Sequence, residues 1–184
     1  ITVISGKGTI SKLKSGAIIA ENLSGDFNLK KNTLYVRNIE GDAFSGKVRG
    51  SVSYGVMNEK IGVDMVGTNM NALNAIEGAA GIKNALTGKL SWVAKVNLKG
   101  LTEEAMMRTL TGKVNFNIDN GTFGNIGRLE TLLGADNVVG NSIMKAALSG
   151  VTALPAVKNT ADFTYIAGEL TFANGWANLQ PIKT

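Results

Sequence analysis

Apolar and polar residues alternate along most of this chain, and the clearest example lies near its middle. Val114, Phe116 and Ile118 fall on one side of the run, while lysine, asparagine and aspartate residues fall on the other. A period of two predicts a strand with one apolar face and one solvated face. The following Asp-Asn-Gly at 119–121 contains residues that tolerate positive φ, which predicts a turn at the end of this strand.

Similar alternation predicts strands along most of the remaining chain. The predicted strands span residues 9–13, 17–20, 23–29, 33–39, 47–54, 60–66, 86–98, 162–166, 169–173 and 176–179, with loops at 41–45 and 151–160. The connections between most of them are short, which favours antiparallel pairing between neighbours in sequence.

Four segments predict short helices instead of strands. The first spans residues 69–77 and ends at Gly78, and the second begins after Thr102, which caps it. The third spans residues 125–133 and ends at Gly134, and the fourth spans residues 141–148. Glu103 and Glu104 lie in the first turn after Thr102, where negative charge is favourable near the helix N-terminus.

A five-residue signature of apolar, small, Gly, polar and apolar residues introduces many of the strands. It begins at Leu23, Phe44, Leu86, Leu110 and Ile166. The uneven spacing excludes a solenoid of fixed period. A glycine at this position marks a bend or a close approach of two backbones, and five copies predict one long sheet assembled from similar hairpins.

Short helices are too few to cover so wide an apolar sheet, because each one shields a strip only about 10 Å across. Two solutions remain: the sheet closes on itself as a sandwich or barrel, or it curls around apolar material that is not protein. Aromatic residues make up only 6% of the chain, and smooth aliphatic walls suit a groove for flexible chains better than a tight core. The predicted fold is therefore mainly β (α+β), a curved and largely antiparallel sheet that forms an apolar groove, with several short helices in one domain spanning 1–184. The candidate wall residues are Val48, Val52, Ile61, Val63, Met65, Leu90, Trp92, Val96, Val114, Phe116 and Ile118.

Composition excludes several classes of function. The chain contains no cysteine and no histidine, which rules out zinc sites built on them, thiolate nucleophiles and Ser-His-Asp triads. The net charge is +5, and the lysine and arginine residues that produce it are scattered along strand faces. Nucleic-acid binding requires a concentrated basic stripe instead. An enzyme that acts on glycans requires two carboxylates within about 10 Å, and no such pair is evident. We expect no enzymatic activity, no catalytic or metal site and no cofactor.

The segments 110–134, 137–141 and 163–172 resemble the C-terminal region of AsmA-like proteins, and the segments 34–39 and 44–50 resemble the sheet repeats of that family and its TamB relatives. The resemblance implies an envelope protein of a bacterium with two membranes. It also implies a periplasmic β-groove, proposed to carry phospholipids toward the outer membrane, and an N-terminal anchor in the inner membrane. The family offers no catalytic residues.

On this interpretation the chain is a fragment of a longer protein. Its expected partners are phospholipid or another acyl-chain lipid and other envelope proteins, with membrane association through regions absent from this chain. The alternative function is a closed β-sandwich that serves as a structural or adhesion module without a lipid ligand.

Overall fold

One antiparallel sheet of nine strands dominates the computed structural model, which describes residues 4–15, 18–80, 83–84, 86–124, 162–173 and 176–180. The strands are β1 (Ile4–Ser15), β2 (Ile18–Lys30), β3 (Thr33–Ala43), β4 (Gly46–Gly55), β5 (Lys60–Asn71), β6 (Lys89–Lys99), β7 (Thr111–Thr122), β8 (Asp162–Ala173) and β9 (Trp176–Leu179). Their order in the sheet is their order in the chain, so each strand pairs with its neighbours in sequence. The prediction of a mainly β, antiparallel and curved sheet is confirmed.

The sheet is unclosed, with β1 at one edge and β9 at the other. All nine strands belong to it, so the described part of the chain provides no second sheet for a sandwich. Two short helices accompany the sheet in the described residues, α1 (Ala72–Ala80) after β5 and α2 (Glu103–Thr109) between β6 and β7. We call the two ends of the sheet the α1 end and the α2 end.

Several strands are longer than the sequence pattern predicts. The predicted strands 17–20 and 23–29 are one strand, β2, and 162–166 and 169–173 are one strand, β8. The predicted loop at 41–45 is wrong, because β3 continues to Ala43 and the turn occupies only Phe44 and Ser45, with φ of 50° and 61°. The predicted turn at 119–121 is also wrong, because β7 continues through Thr122.

Asparagines with positive φ lie inside three of the strands, β2, β3 and β5. Asn22, Asn38 and Asn69 have φ of 52°, 51° and 53°, and each lies where the strand register shifts. An extra residue in one strand is a β-bulge, which bends the strand and increases its twist. The bulges thus continue the strands through sites whose sequences indicate turns, and they contribute to the curvature of the sheet.

Two of the bulges are held by an amide that donates to a carboxylate on the neighbouring strand. Nδ2 of Asn22 lies 2.9 Å from Oδ2 of Asp42, and Nδ2 of Asn38 lies 2.7 Å from Oδ2 of Asp26. Asparagine tolerates the left-handed conformation better than other non-glycine residues because its short side chain forms local hydrogen bonds.

We expect Asn38→Ala to reduce the free energy of unfolding by about 1–2 kcal/mol, the cost of a left-handed backbone for a residue with a plain Cβ. Asn38→Gly retains the backbone conformation and loses only the hydrogen bond, so it is expected to cost less. Urea denaturation measures both values. Equal losses in the two variants would contradict a backbone role for Asn38.

The two described helices differ in how well the sequence predicts them. The cap is confirmed at α2, where Oγ1 of Thr102 accepts from the backbone N–H of Ala105 at 3.2 Å. Helix α1 begins later than predicted because Asn71 still pairs in β5. The side-chain Oδ1 of Asn71 accepts a hydrogen bond from the backbone N–H of Asn74 at 3.0 Å. Gly78 does not end α1, which continues to Ala80. The predicted helices at 125–133 and 141–148 and the loop at 151–160 lie outside the described residues.

The glycine signature corresponds to close backbone approach at three of its copies, including Gly88, where a Cβ would lie 3.0 Å from the carbonyl oxygen of Asp119. A Cβ on Gly112 would lie 2.1 Å from the carbonyl oxygen of Lys95, and one on Gly46 would lie 2.4 Å from that of Thr68. Gly112 also has φ of +123°, a conformation that favours glycine. Gly25, by contrast, lies in the middle of β2, where the nearest atom to a Cβ would be 3.3 Å away.

Candidate functional site

The strand register places apolar residues from all nine strands on one face of the sheet, which we call the apolar face. Cross-strand partners share a face, so the pairing can be followed from one edge to the other. The middle row of this face consists of Gly6, Phe27, Val36, Val52, Val63, Val96, Gly112, Phe172 and Ala177. The row crosses the whole sheet without a charged or polar side chain.

The predicted wall residues lie together on the apolar face. Their cross-strand partnerships are Val52 with Val63, Val63 with Val96, Leu90 with Ile118, Trp92 with Phe116, Ile61 with Leu98, Val114 with Ala94, Met65 with Ala94 and Val48 with Gly67. Because every candidate occurs in these pairs, the register joins them into one continuous surface.

The wall residues are not equally accessible. Val48 and Ile118 are buried, with 8% and 4% of their surface exposed, and they belong to the protein's own packing. The other nine candidates are half-buried. A ligand on this face would therefore meet those nine, with Val48 and Ile118 beneath the accessible layer.

Two buried clusters lie on the apolar face, one toward each end of the sheet. At the α1 end, Ala43, Val48 and Met70 pack together, with Met65, Leu90 and Trp92 among the half-buried residues around them. At the α2 end, Leu110, Leu170 and Phe172 form the second cluster, which Val96, Val114, Phe116 and Met107 of α2 contact. The middle row, from Val36 to Val96, lies between these two ends.

Trp92 is fixed in the first cluster by the residues beneath it. Its indole Nε1 donates to Sδ of Met70 at 3.2 Å, which gives the N–H a weak acceptor. The indole also lies over Gly67, where an added Cβ would be 2.3 Å from Nε1. Only a residue without a side chain at position 67 leaves room for this ring.

The opposite surface, which we call the polar face, carries the charged partners of the same strands. Nζ of Lys95 lies 3.5 Å from Oδ2 of Asp64, and Nζ of Lys113 lies 2.8 Å from Oε1 of Glu169. Such exposed pairs contribute little to stability. They do favour the observed register, because a shift of one residue would move each charged side chain to the apolar face.

Two carboxylates on the polar face have a perturbed pKa. The hydrogen bond from Lys113 lowers the pKa of Glu169, and the hydrogen bond from Lys47, aided by Asn22, lowers the pKa of Asp42. Both side chains are about one-third exposed, and both pKa shifts follow from pairing with a neighbouring lysine.

We expect these two groups to make the protein less stable in acid. A depressed folded-state pKa contributes stability above the unfolded pKa, and that stability disappears as pH falls through the folded value. Glu169→Gln should therefore flatten the dependence of the thermal midpoint on pH below about pH 4.3, the ordinary pKa of glutamate. Lys113→Gln is the matched variant, because it retains the carboxylate and removes its partner. An unchanged slope in both would contradict the pairing.

The polar face also contains a depression of about 770 Å³ between β5 and β8. It is lined mainly by hydroxyl, amide and small apolar side chains, including Ser91, Val93, Asn115, Asn117 and Tyr165. The sequence contains no signal for this depression, because its residues come mainly from four strands and form no motif. Within the described residues, no group of three His, Cys, Asp or Glu side chains is placed to hold a metal ion.

Comparison with protein-family models, with curated proteins and with solved structures gave no match. Any functional assignment therefore depends on two things, the geometry of the apolar face and the sequence resemblance. Among the described residues, neither helix is long and apolar enough to cross a membrane.

Proposed function

We propose that the apolar face of this sheet binds the acyl chains of phospholipids without chemical change. The observation that supports this most directly is the middle row, which remains apolar across all nine strands of an unclosed sheet. A surface of this kind gains about 25 cal/mol for each Å² of apolar area that a ligand removes from water.

The length of the row suits the proposed ligand. Neighbouring strands lie about 4.8 Å apart, so nine strands give a row of roughly 38 Å. One leaflet accounts for half of a hydrocarbon core about 30 Å thick. An acyl chain lying across the strands therefore fits within the sheet along this direction.

The AsmA-like resemblance supplies the biological setting of the proposal. In that setting the parent protein is an envelope protein anchored in the inner membrane, this chain lies in the periplasm, and the bound phospholipid moves toward the outer membrane. Other envelope proteins would be partners at the ends of the path. No nucleic acid, metal or cofactor is required.

A photo-crosslinking scan along β5 tests the proposal. Ile61, Val63 and Met65 lie on the apolar face, and their neighbours Gly62 and Asp64 lie on the polar face. With a diazirine amino acid placed at each position in turn, we expect crosslinks to co-purifying phospholipid at 61, 63 and 65 and none at 62 and 64. The adjacent positions are matched controls, because they share a strand and differ only in face.

Mass spectrometry of the gently purified protein identifies the crosslinked species. Crosslinking with equal yield on both faces would indicate detergent-like adsorption and contradict a defined site. A protein that carries no phospholipid and gives no crosslink at any of the five positions would leave a structural module as the better description.

A further inference from the structure

The three most exposed large apolar side chains of the described residues all lie at the α2 end. Trp176, Met57 and Leu101 have 82%, 79% and 67% of their surface exposed. They occur in three separate places, at the start of β9, in the turn between β4 and β5, and between β6 and α2. Single exposed apolar residues are common on protein surfaces, so the feature that indicates an interaction site here is the position of all three at one end of the sheet.

Backbone hydrogen bonds join the neighbouring turns at this end into one edge. The N–H of Val56 donates to the carbonyl of Asn32 at 2.8 Å, and the N–H of Gly100 donates to the carbonyl of Glu59 at 3.1 Å. From β4 to β9 the edge crosses five strand intervals, or about 24 Å at 4.8 Å for each interval. The apolar tips are therefore spread along a line.

Lysines accompany the apolar tips along the same edge. Lys30, Lys31, Lys60 and Lys99 are exposed and lie at or beside the ends of β2, β5 and β6. Lys60 and Lys99 are direct cross-strand partners, an arrangement of like charges that is destabilising in water. An anionic surface would offset that repulsion.

Acidic residues are also present at this end, but they are fewer. Glu59 precedes β5, Glu103 and Glu104 begin α2, and Glu104 forms an ion pair with Arg108 of the same helix. Because four lysines and Arg108 outnumber these three glutamates, the edge carries a net positive charge.

We propose that the α2 end docks on the surface of an anionic lipid bilayer. Met57, Leu101 and Trp176 would enter the interfacial layer, where tryptophan is enriched in membrane proteins, and the four lysines would lie among the phosphate groups. A protein partner would require a contiguous patch of about 800 Å² on each side. Separate apolar tips among lysines fit a fluid surface better, because lipids rearrange around each tip.

Exposed apolar side chains and lysines also occur at the α1 end, but no large apolar side chain of the described residues there has more than 50% of its surface exposed. Three apolar residues of α1, Ala72, Ala75 and Ile76, are buried, and Leu73 is half-buried. Leu13 and Ile18 are exposed there by 50% and 41%, and they provide matched controls. Docking does not depend on acyl chains in the proposed groove, so the two proposals can fail separately.

Tryptophan fluorescence provides the first test, because the chain has only two tryptophans. In a Trp92→Phe variant, emission reports Trp176 alone. We expect a blue shift when vesicles of phosphatidylcholine and phosphatidylglycerol in a 7:3 ratio are added, and quenching by lipids brominated near the headgroup. If Trp92→Phe does not fold, the difference spectrum between the wild type and Trp176→Phe gives the same information. An unshifted spectrum would overturn the proposal.

Vesicle sedimentation with paired variants provides the second test. We expect Met57→Ser combined with Leu101→Ser to weaken binding at least tenfold, whereas Leu13→Ser combined with Ile18→Ser leaves it unchanged. Lys30→Gln combined with Lys31→Gln should cost about fivefold for each lysine, against little change for Lys14→Gln combined with Lys83→Gln.

Equal effects of the paired variants at both ends would overturn the proposal, because docking would then have no preferred edge. A vesicle-independent dimer that Met57→Ser and Leu101→Ser dissociate would also overturn it, in favour of a second copy as the partner. Retained groove crosslinking together with lost vesicle binding would show that only the docking proposal had failed.

Discussion

Val52→Asp is expected to remove at least nine-tenths of the phospholipid that co-purifies with the protein. Val52 lies in the middle row between Val36 and Val63, so an aspartate there would place a carboxylate against the proposed acyl chain. Removing an unpaired charge from water costs several kcal/mol, and about 1.4 kcal/mol already corresponds to a tenfold change in affinity. Mass spectrometry with an internal lipid standard measures the loss.

Ser53→Asp is the control for this experiment. It introduces the same side chain one position along β4, where the residue lies on the polar face and pairs with Gly62. We expect it to retain bound lipid. Thermal unfolding of both variants distinguishes loss of the ligand from loss of the fold, and equal lipid loss in two folded variants would contradict the assignment of the apolar face.

Gly112→Ala is expected to cause a much larger loss of stability than Gly8→Ala. The backbone at Gly112 has φ of +123°, and a Cβ would lie 2.1 Å from the carbonyl oxygen of Lys95 and 2.8 Å from Cα of Val96. Both contacts are with backbone, so β6 and β7 would have to separate. We expect a loss of about 3 kcal/mol or more in the free energy of unfolding, at the upper end for strained backbone.

Gly8→Ala is the matched substitution. Gly8 lies in the edge strand β1, and the nearest atom to its Cβ would be Cδ1 of Phe27 at an ordinary distance of 4.0 Å. We expect a change within about 1 kcal/mol. Guanidinium denaturation compares the two variants, and similar destabilisation by both would show that close packing at Gly112 is not what determines the difference.

The alternation of apolar and polar residues was sufficient to predict the strands and their faces. Val114, Phe116 and Ile118 lie on the face that the period of two assigns to them, and so do Ile61, Val63 and Met65 in β5. This success has a physical cause. Successive side chains of a strand point to opposite faces, so a one-sided sheet must record its orientation in the sequence.

Strand ends were harder to predict because turns and bulges use the same residues. Asn120 and Asn32 have φ of 49° and 62°, yet Asn120 lies inside β7 and Asn32 lies in a hairpin turn. Both need a residue that tolerates positive φ. Whether the chain then reverses depends on the neighbouring strand, and a local pattern contains no information about that partner.

The candidate sites also differ in whether one strand or several strands determine them. The common face of the candidate wall residues was predictable, because the position of each one follows from the alternation of its own strand. The depression beside Tyr165 and the lysines at the α2 end depend on which strands and turns are adjacent. Lys60 and Lys99 are far apart in sequence, and only the register of β5 with β6 brings them together.

The order of the strands determines how such a protein could change in size. Each of the nine described strands hydrogen-bonds only to its neighbours among them, so adding a hairpin at β1 or β9 would break none of the pairs between these strands. Each added hairpin would extend the sheet by roughly 10 Å, two strand spacings. The reach of the surface is thus adjustable in fixed increments, and duplication of one short stretch of gene would be enough to make it longer.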